Sequence, residues 1–219
     1  MTDPSFYFDR LYPLQDMLLR SIRKEDTGFY LTGGTAASRG YLKHRFSDDL
    51  DLFVNDDKRF GLWTERVIHA LVHSGNWQVG ILLKEERFAR LEIGAGDITM
   101  KLELVNDVPA HVGEIFDHAA LGRLDSPENI LANKITALID RNEPRDLADI
   151  WGFCCLRSLS LRQAIEGAQS KAAGVFPADL ARVLCSANRE DWGLIRWIDA
   201  PPAGRFVEDL VRLGENLIL

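Results

Sequence analysis

The chain has 219 residues, which suits one large domain or a core domain with a smaller appendage. Hydrophobic residues make up 46% and charged residues 27%, an ordinary balance for a globular protein in water, and no apolar run approaches the roughly 18 residues of a membrane span. A formal net charge of −7 argues against unspecific binding along nucleic-acid backbones, although 26 lysines and arginines leave room for one local basic groove.

The spacing of Tyr7, Leu11, Leu14, Leu18, Leu19 and Ile22 predicts a helix over residues 8–25. Asp9 is its expected cap, Pro13 falls in the tolerant first turn, and Arg20, Arg23 and Lys24 complement the dipole at the far end. A buried strand starting at Gly28 should end at the turn Leu31-Thr32-Gly33-Gly34-Thr35-Ala36. Gly33 and Gly34 let the backbone bend without a Cβ and bring its N–H groups near a phosphate, above all where a helix follows. Thr35 to Leu42 has the length of such a helix, and Arg39, Lys43, His44 and Arg45 make its far end basic. Next comes Arg45-Phe46-Ser47-Asp48-Asp49-Leu50-Asp51-Leu52-Phe53. On a strand Asp49 and Asp51 share one face while Leu50 and Leu52 point into the core. Two carboxylates side by side repel unless a cation separates them, and carboxylates with substrate phosphates are the usual surroundings of Mg²⁺.

An amphipathic helix is expected over residues 59–73, with Phe60, Trp63, Val67, Leu71 and Val72 on its apolar face. His69 and His73 are one turn apart there but lack a third ligand, which disfavours zinc. Three strand-like runs follow, residues 77–83, 88–93 and 98–105, joined by the turns Lys84-Glu85-Glu86 and Gly94-Ala95-Gly96-Asp97. The third alternates Thr99, Lys101 and Glu103 with Ile98, Met100, Leu102 and Leu104, so Glu103 is either part of a wet face or a third acid at the cation site. Residues 109–122 look like an irregular connection. Ser126 as cap, Pro127 in the first turn and Glu128 open another helix, which Asn142-Glu143-Pro144 breaks before Arg145-Asp146-Leu147-Ala148-Asp149 starts the next. Lys134 and Arg141 lie two turns apart on one face, and Asp146 and Asp149 three residues apart on another. Beyond residue 150 only helical periodicity appears, with Trp192 and Trp197 read as core or interface residues rather than base-stacking ones. Cys154, Cys155 and Cys185 have no metal-ligand spacing and read as reduced thiols in a helical core, which predicts a cytoplasmic protein, as does an N-terminus without the features of a signal peptide.

Gly33-Gly34-Thr35-Ala36 followed by Arg45-x-Ser47-x-Asp49-Leu50-Asp51-Leu52 resembles the nucleotidyltransferase superfamily, and more narrowly the AbiEii/AbiGii toxin family. The second block, Lys134, Arg141, Arg145, Asp146 and Asp149, resembles the same family's helical motif, so the likeness covers about residues 28–153. It implies an α+β fold with a small mixed sheet and helices in a catalytic core over residues 1–120, then a helical lobe over 121–219 that completes the site. It implies an enzyme that moves an NMP from an NTP to an acceptor hydroxyl with Mg²⁺ or Mn²⁺, on RNA such as tRNA, as the toxin of a toxin–antitoxin or phage-defence pair. The catalytic set is then Asp49, Asp51, Lys134 and Asp146. Gly33, Gly34, Thr35, Arg45, Ser47 and Lys134 would bind the nucleotide, and Asp49, Asp51 and Glu103 the metal. Lys134 is read as an exposed helical lysine, and Asp146 as orienting it or accepting a proton. A transferase acting on a small molecule such as an aminoglycoside, or a degenerate binding module, are the rival readings, with intact Asp49, Asp51 and Lys134 speaking against the second.

Overall fold

The computed structural model describes residues 3–218 and divides into two compact units. One holds the chain up to Ala36, Ser47–Pro109 and Ile115–Asp125; the other holds Ala37–Phe46, Ala110–Glu114 and the chain from Ser126 onward. The sequence suggests a single division near residue 120. Instead two short segments, 37–46 and 110–114, leave the first unit and join the second.

The first unit opens with a wide helical turn, Phe6–Leu11, that continues as α1, Tyr12–Arg23. Asp9 lies inside this turn and caps nothing, while Pro13 sits in the first turn of α1, where its missing N–H costs nothing. Leu11, Leu14, Leu18 and Ile22 form its buried stripe. β1, Tyr30–Thr32, is buried throughout and leads into α2, a single helical turn at Gly33–Thr35, which runs on as the wide helical segment Ala36–Leu42. β2, Leu50–Asn55, buries Leu50, Leu52 and Val54 and leaves Asp51, Phe53 and Asn55 half-buried, the period of two that a one-sided strand requires. α3, Phe60–Ser74, precedes β3, Gln78–Lys84, β4, Phe88–Ala95, and β5, Ile98–Asp107. On β5 the predicted alternation holds, with Ile98, Met100, Leu102 and Leu104 inside.

The region expected to be irregular carries two further strands, β6 at Phe116–His118 and β7 at Gly122–Leu124. Three residues are too few to show a period, which is why the sequence hides them. All seven strands form one mixed sheet in the order β3-β4-β5-β2-β1-β7-β6. β2 is central, antiparallel to β1 and parallel to β5. Its register sets Asp51 opposite Thr32 on one side and Glu103 on the other.

The second unit is helical: α4, Pro127–Arg141; α5, Pro144–Trp151; a wide turn, Gly152–Leu156; α6, Leu161–Lys171; α7, Pro177–Cys185; α8, Arg189–Leu194; and α9, Ala203–Ile218. Ile130, Ile135, Leu138, Ile150, Phe153, Leu180, Phe206 and Leu210 are buried in it. Trp197 stands edge-on to Trp151 and Phe206 but is only half-buried, past the end of α8. Cys154 and Cys155 are part-buried thiols pushed up by burial to about 12 and about 11, and Cys185 is exposed rather than in the core. Among the described residues no helix is long and apolar enough to cross a membrane.

Candidate active site

Within the first unit the glycine turn and the Asp-x-Asp stretch meet. Gly33 has φ +66°, and a Cβ there would overlap the Asp51 carboxylate, so both its backbone angle and its neighbour demand glycine. The turn is anchored from below: the Thr32 hydroxyl donates to the fully buried Asp125 carboxylate at 2.5 Å, and the Asp125 N–H donates to the Leu31 carbonyl at 2.9 Å. Nothing local in the sequence marks Asp125. The Thr35 hydroxyl is fully buried, donating to the Asp49 carbonyl at 2.5 Å and sharing a hydrogen bond with Ser47 Oγ at 3.0 Å. Thr35 and Ser47 therefore spend their hydroxyls on holding the chain that delivers Asp49, which leaves the backbone of the turn as the nearer source of phosphate donors. From α1, Gln15 Nε2 donates to the Asp48 carbonyl at 2.9 Å, and from the wide turn before it Tyr7 Oη donates to Asp48 Oδ1 at 2.8 Å, fixing the approach to β2 from the other side.

Asp49 immediately precedes β2 and Asp51 lies in it; both are half-buried. Glu103 faces the same side as Asp51 across the parallel register, but Arg90 Nε donates to its Oε1 at 2.8 Å. Among the described residues no group of three His, Cys, Asp or Glu side chains stands ready to hold a metal ion.

Within the second unit the predicted helix signals place a compact ion-pair cluster. The Ser126 side chain accepts from the Asn129 N–H, Pro127 occupies the first turn, and Asn142, at φ 48°, closes α4 in the left-handed conformation before Pro144 starts α5. That short connection folds α5 back so that Lys134 Nζ lies 2.9 Å from Asp146 Oδ1 and 2.7 Å from Asp149 Oδ2. Arg141 grips Asp146 with Nε at 2.8 Å and Nη2 at 3.1 Å. Lys134 is 6% exposed and both aspartates 0%, which corrects the expectation of an exposed helical lysine. Arg45 is equally buried. Its Nε donates to Asp149 Oδ1 at 2.7 Å and its Nη2 to Oδ2 at 2.6 Å, so those donors serve Asp149. His44, at the basic end of the segment after the glycine turn, is buried with Nε2 3.0 Å from Asp149 Oδ1. Arg145 stays outside the cluster and pairs with Glu143.

Burial pushes the Asp149 carboxyl up, but the charges of Arg45 and Lys134 and the hydrogen bonds from His44 and Arg45 outweigh it, holding the group well below the usual carboxylate range. Asp146 is lowered by the same competition: burial is overcome by the charge of Lys134 and hydrogen bonds from Arg141 and Lys134. Burial lowers His44 below an ordinary histidine despite the neighbouring carboxylate, with Arg45 and Lys134 adding to the fall.

The family model described as "Nucleotidyl transferase AbiEii toxin, Type IV TA system" matches residues 16–166. No curated protein matches the chain. Among solved structures, JHP933 from Helicobacter pylori has a TM-score of 0.62 at 20% identity, covering 99% of this chain and 93% of that one. MenT4, a nucleotidyltransferase toxin from Mycobacterium tuberculosis H37Rv, has a TM-score of 0.63 at 16% identity over 95% of this chain and 82% of its own. The antibiotic-resistance factor ANT(2'')-Ia is similar over 72% of this chain and 91% of its own, with a TM-score of 0.51 and 16% identity. At these identities the structural likenesses speak for the fold, whereas the family model spans most of the chain and takes in both motif blocks. The chain belongs to the AbiEii family of nucleotidyltransferase toxins.

Proposed function

We propose that the chain transfers an NMP from an NTP to an acceptor hydroxyl of RNA, tRNA above all, with Mg²⁺ or Mn²⁺ as cofactor. The observation that carries this reading is the contact of Gly33 with the Asp51 carboxylate: a bare turn and an acid pair form one cradle that a Cβ would fill. Such a cradle fits a divalent cation with a triphosphate, because this cation takes one or two carboxylates and completes its shell with phosphates and water. Asp49 and Asp51 would hold the metal, which when bound supplies Lewis-acid stabilisation of the phosphates. Glu103, already neutralised by Arg90, is the weaker of the three acids.

The chain's own residues then divide the work. The backbone N–H groups of the Gly33-Gly34-Thr35 turn hold phosphate oxygens. Lys134 gives positive charge to the triphosphate as negative charge grows on the leaving group, and Asp146 orients it. Arg45 and Ser47 act through their neighbours, Arg45 by holding Asp149 and Ser47 by its hydrogen bond with Thr35. A toxin family implies an antitoxin partner, and the setting is cytoplasmic phage defence or a related toxin–antitoxin pair.

The test is incubation with each labelled NTP, Mg²⁺ or Mn²⁺, and total RNA, with an aminoglycoside as the parallel acceptor. The expected result is label on RNA from one preferred NTP, lost on chelation. Label on the small molecule alone would move the enzyme to the rival acceptor class, and no transfer to either would overturn the reading.

A further inference from the structure

We propose that Asp149 is a positioning residue for Lys134, held in place by Arg45 and His44, and that this trio sets the lysine without touching substrate. The inference rests on the reading of Lys134 as a phosphate-binding group. Asp149 has about four acceptor sites. His44 Nε2 at 3.0 Å, Arg45 Nε at 2.7 Å and Arg45 Nη2 at 2.6 Å occupy three of them, and the Lys134 ammonium pairs with Oδ2 at 2.7 Å, so its orientation is fixed. A lysine ammonium has three hydrogens. Asp146 accepts one of Lys134's at 2.9 Å, and Asp149 Oδ2 pairs with the same ammonium at 2.7 Å.

Stability alone does not account for the arrangement. Buried ion pairs are often replaced by apolar side chains at little or no cost. His44 makes the point sharply: its Nδ1 is buried without a hydrogen-bond partner, an expense that a phenylalanine of similar shape would avoid. What the imidazole provides in return is the Nε2–H aimed at Asp149. A neutral donor also adds no further charge to a cluster in which Arg45, Lys134 and Arg141 already face Asp146 and Asp149. Asp149 sits at a distance of 105 residues from His44 in sequence, so no local motif shows the link.

The test compares wild type, His44→Phe, His44→Gln and Asp149→Asn in the full-length chain. Each is pulsed with an amine-acylating reagent, and Lys134 modification is read by mass spectrometry against the exposed Lys58 and Lys101 as internal standards. Thermal unfolding and the kcat and KM for NTP are measured in parallel. Wild-type Lys134 should react slowly. His44→Phe should raise its relative reactivity and lower kcat by about tenfold, the scale of one hydrogen bond to a charged group, with little change in melting temperature. His44→Gln, whose amide N–H reaches toward the same carboxylate, should restore both. Asp149→Asn should show the larger effect, on the order of a hundredfold in kcat, the scale of a misplaced catalytic group. A His44→Phe protein whose Lys134 reactivity and kcat match wild type overturns the proposal, even if it melts earlier. A wild type that transfers no nucleotide defeats the functional reading instead, while the labelling comparison still decides whether His44 and Asp149 set Lys134.

Discussion

The glycine turn with its acids and the lysine cluster are both charged sites, but they are built on opposite terms. At the first, Asp49 and Asp51 are half-buried and like charges are neighbours in sequence. At the second, two fully buried aspartates are saturated by cations from α4 and from the segment 37–46. Half-buried acids beside a backbone with no Cβ are what the proposed function needs for an incoming cation and its phosphates. A site whose acids are already satisfied is arranged to hold a basic group still. On the proposed function, the same residue types serve ligand capture in one place and rigidity in the other, and burial decides which.

The sharpest way to break this contrast is Lys134→Ala. It leaves Asp146 and Asp149 short of a buried cation, so it should destabilise the chain by roughly 3–5 kcal/mol as well as abolish transfer, measured by denaturant unfolding. Loss of activity with unchanged stability would mean that the cluster does not support the fold. Gly33→Ala comes next. It forces a Cβ into the left-handed region and against Asp51, so a loss of about 1–2 kcal/mol and a large fall in nucleotide affinity are expected from thermal melts and binding titrations.

The response to pH separates the two regions further. The Asp146 and Asp149 carboxyls are lower in the folded chain than their ordinary value of 3.8, so their stabilisation is present above that pH and is lost as pH falls through the folded values. His44 is lowered from 6.5, so the unfolded chain binds its proton first and stability already begins to decline as pH drops below that value. Cys154 and Cys155 act at the other end: raised from 9.0 to about 12 and about 11, they favour the fold below pH 9 and lose that contribution as pH climbs through the raised values. Melting temperature should therefore plateau between about pH 7 and 9. A His44→Phe chain should keep its plateau to lower pH. The smallest effect is expected from Glu103→Gln, a severalfold change in activity, because Arg90 already compensates the acid.

What was legible in the sequence follows from how far apart the partners are. The Gly33-Gly34 turn, the Asp-x-Asp alternation, the Ser126 cap and the Pro144 break are constraints within a few residues, and their local geometry is seen as read. Lys134 with Asp146 was also within reach, since helical spacing and a three-residue break bring them together. His44, Arg45 and Asp149 were not, nor was Thr32 with Asp125, because their partners lie 93 to 105 residues away and no periodicity records such a pairing. The burial of Lys134 is a different case: its partners Asp146 and Asp149 lie on the next helix, but helical spacing alone does not tell a buried ion pair from an exposed one. β6 and β7 escaped because three-residue strands carry no pattern.

The central claim is that the half-buried acids beside Gly33 perform metal-dependent nucleotide transfer and contribute little to the fold. It is tested most directly by assaying Asp51→Asn for transfer of labelled NMP to RNA in Mg²⁺ or Mn²⁺, alongside wild type at matched folded fraction. The account predicts that Asp51→Asn melts within about 1 kcal/mol of wild type and that its transfer falls by roughly a thousandfold or more. An Asp51→Asn chain that transfers nucleotide at the wild-type rate would contradict it.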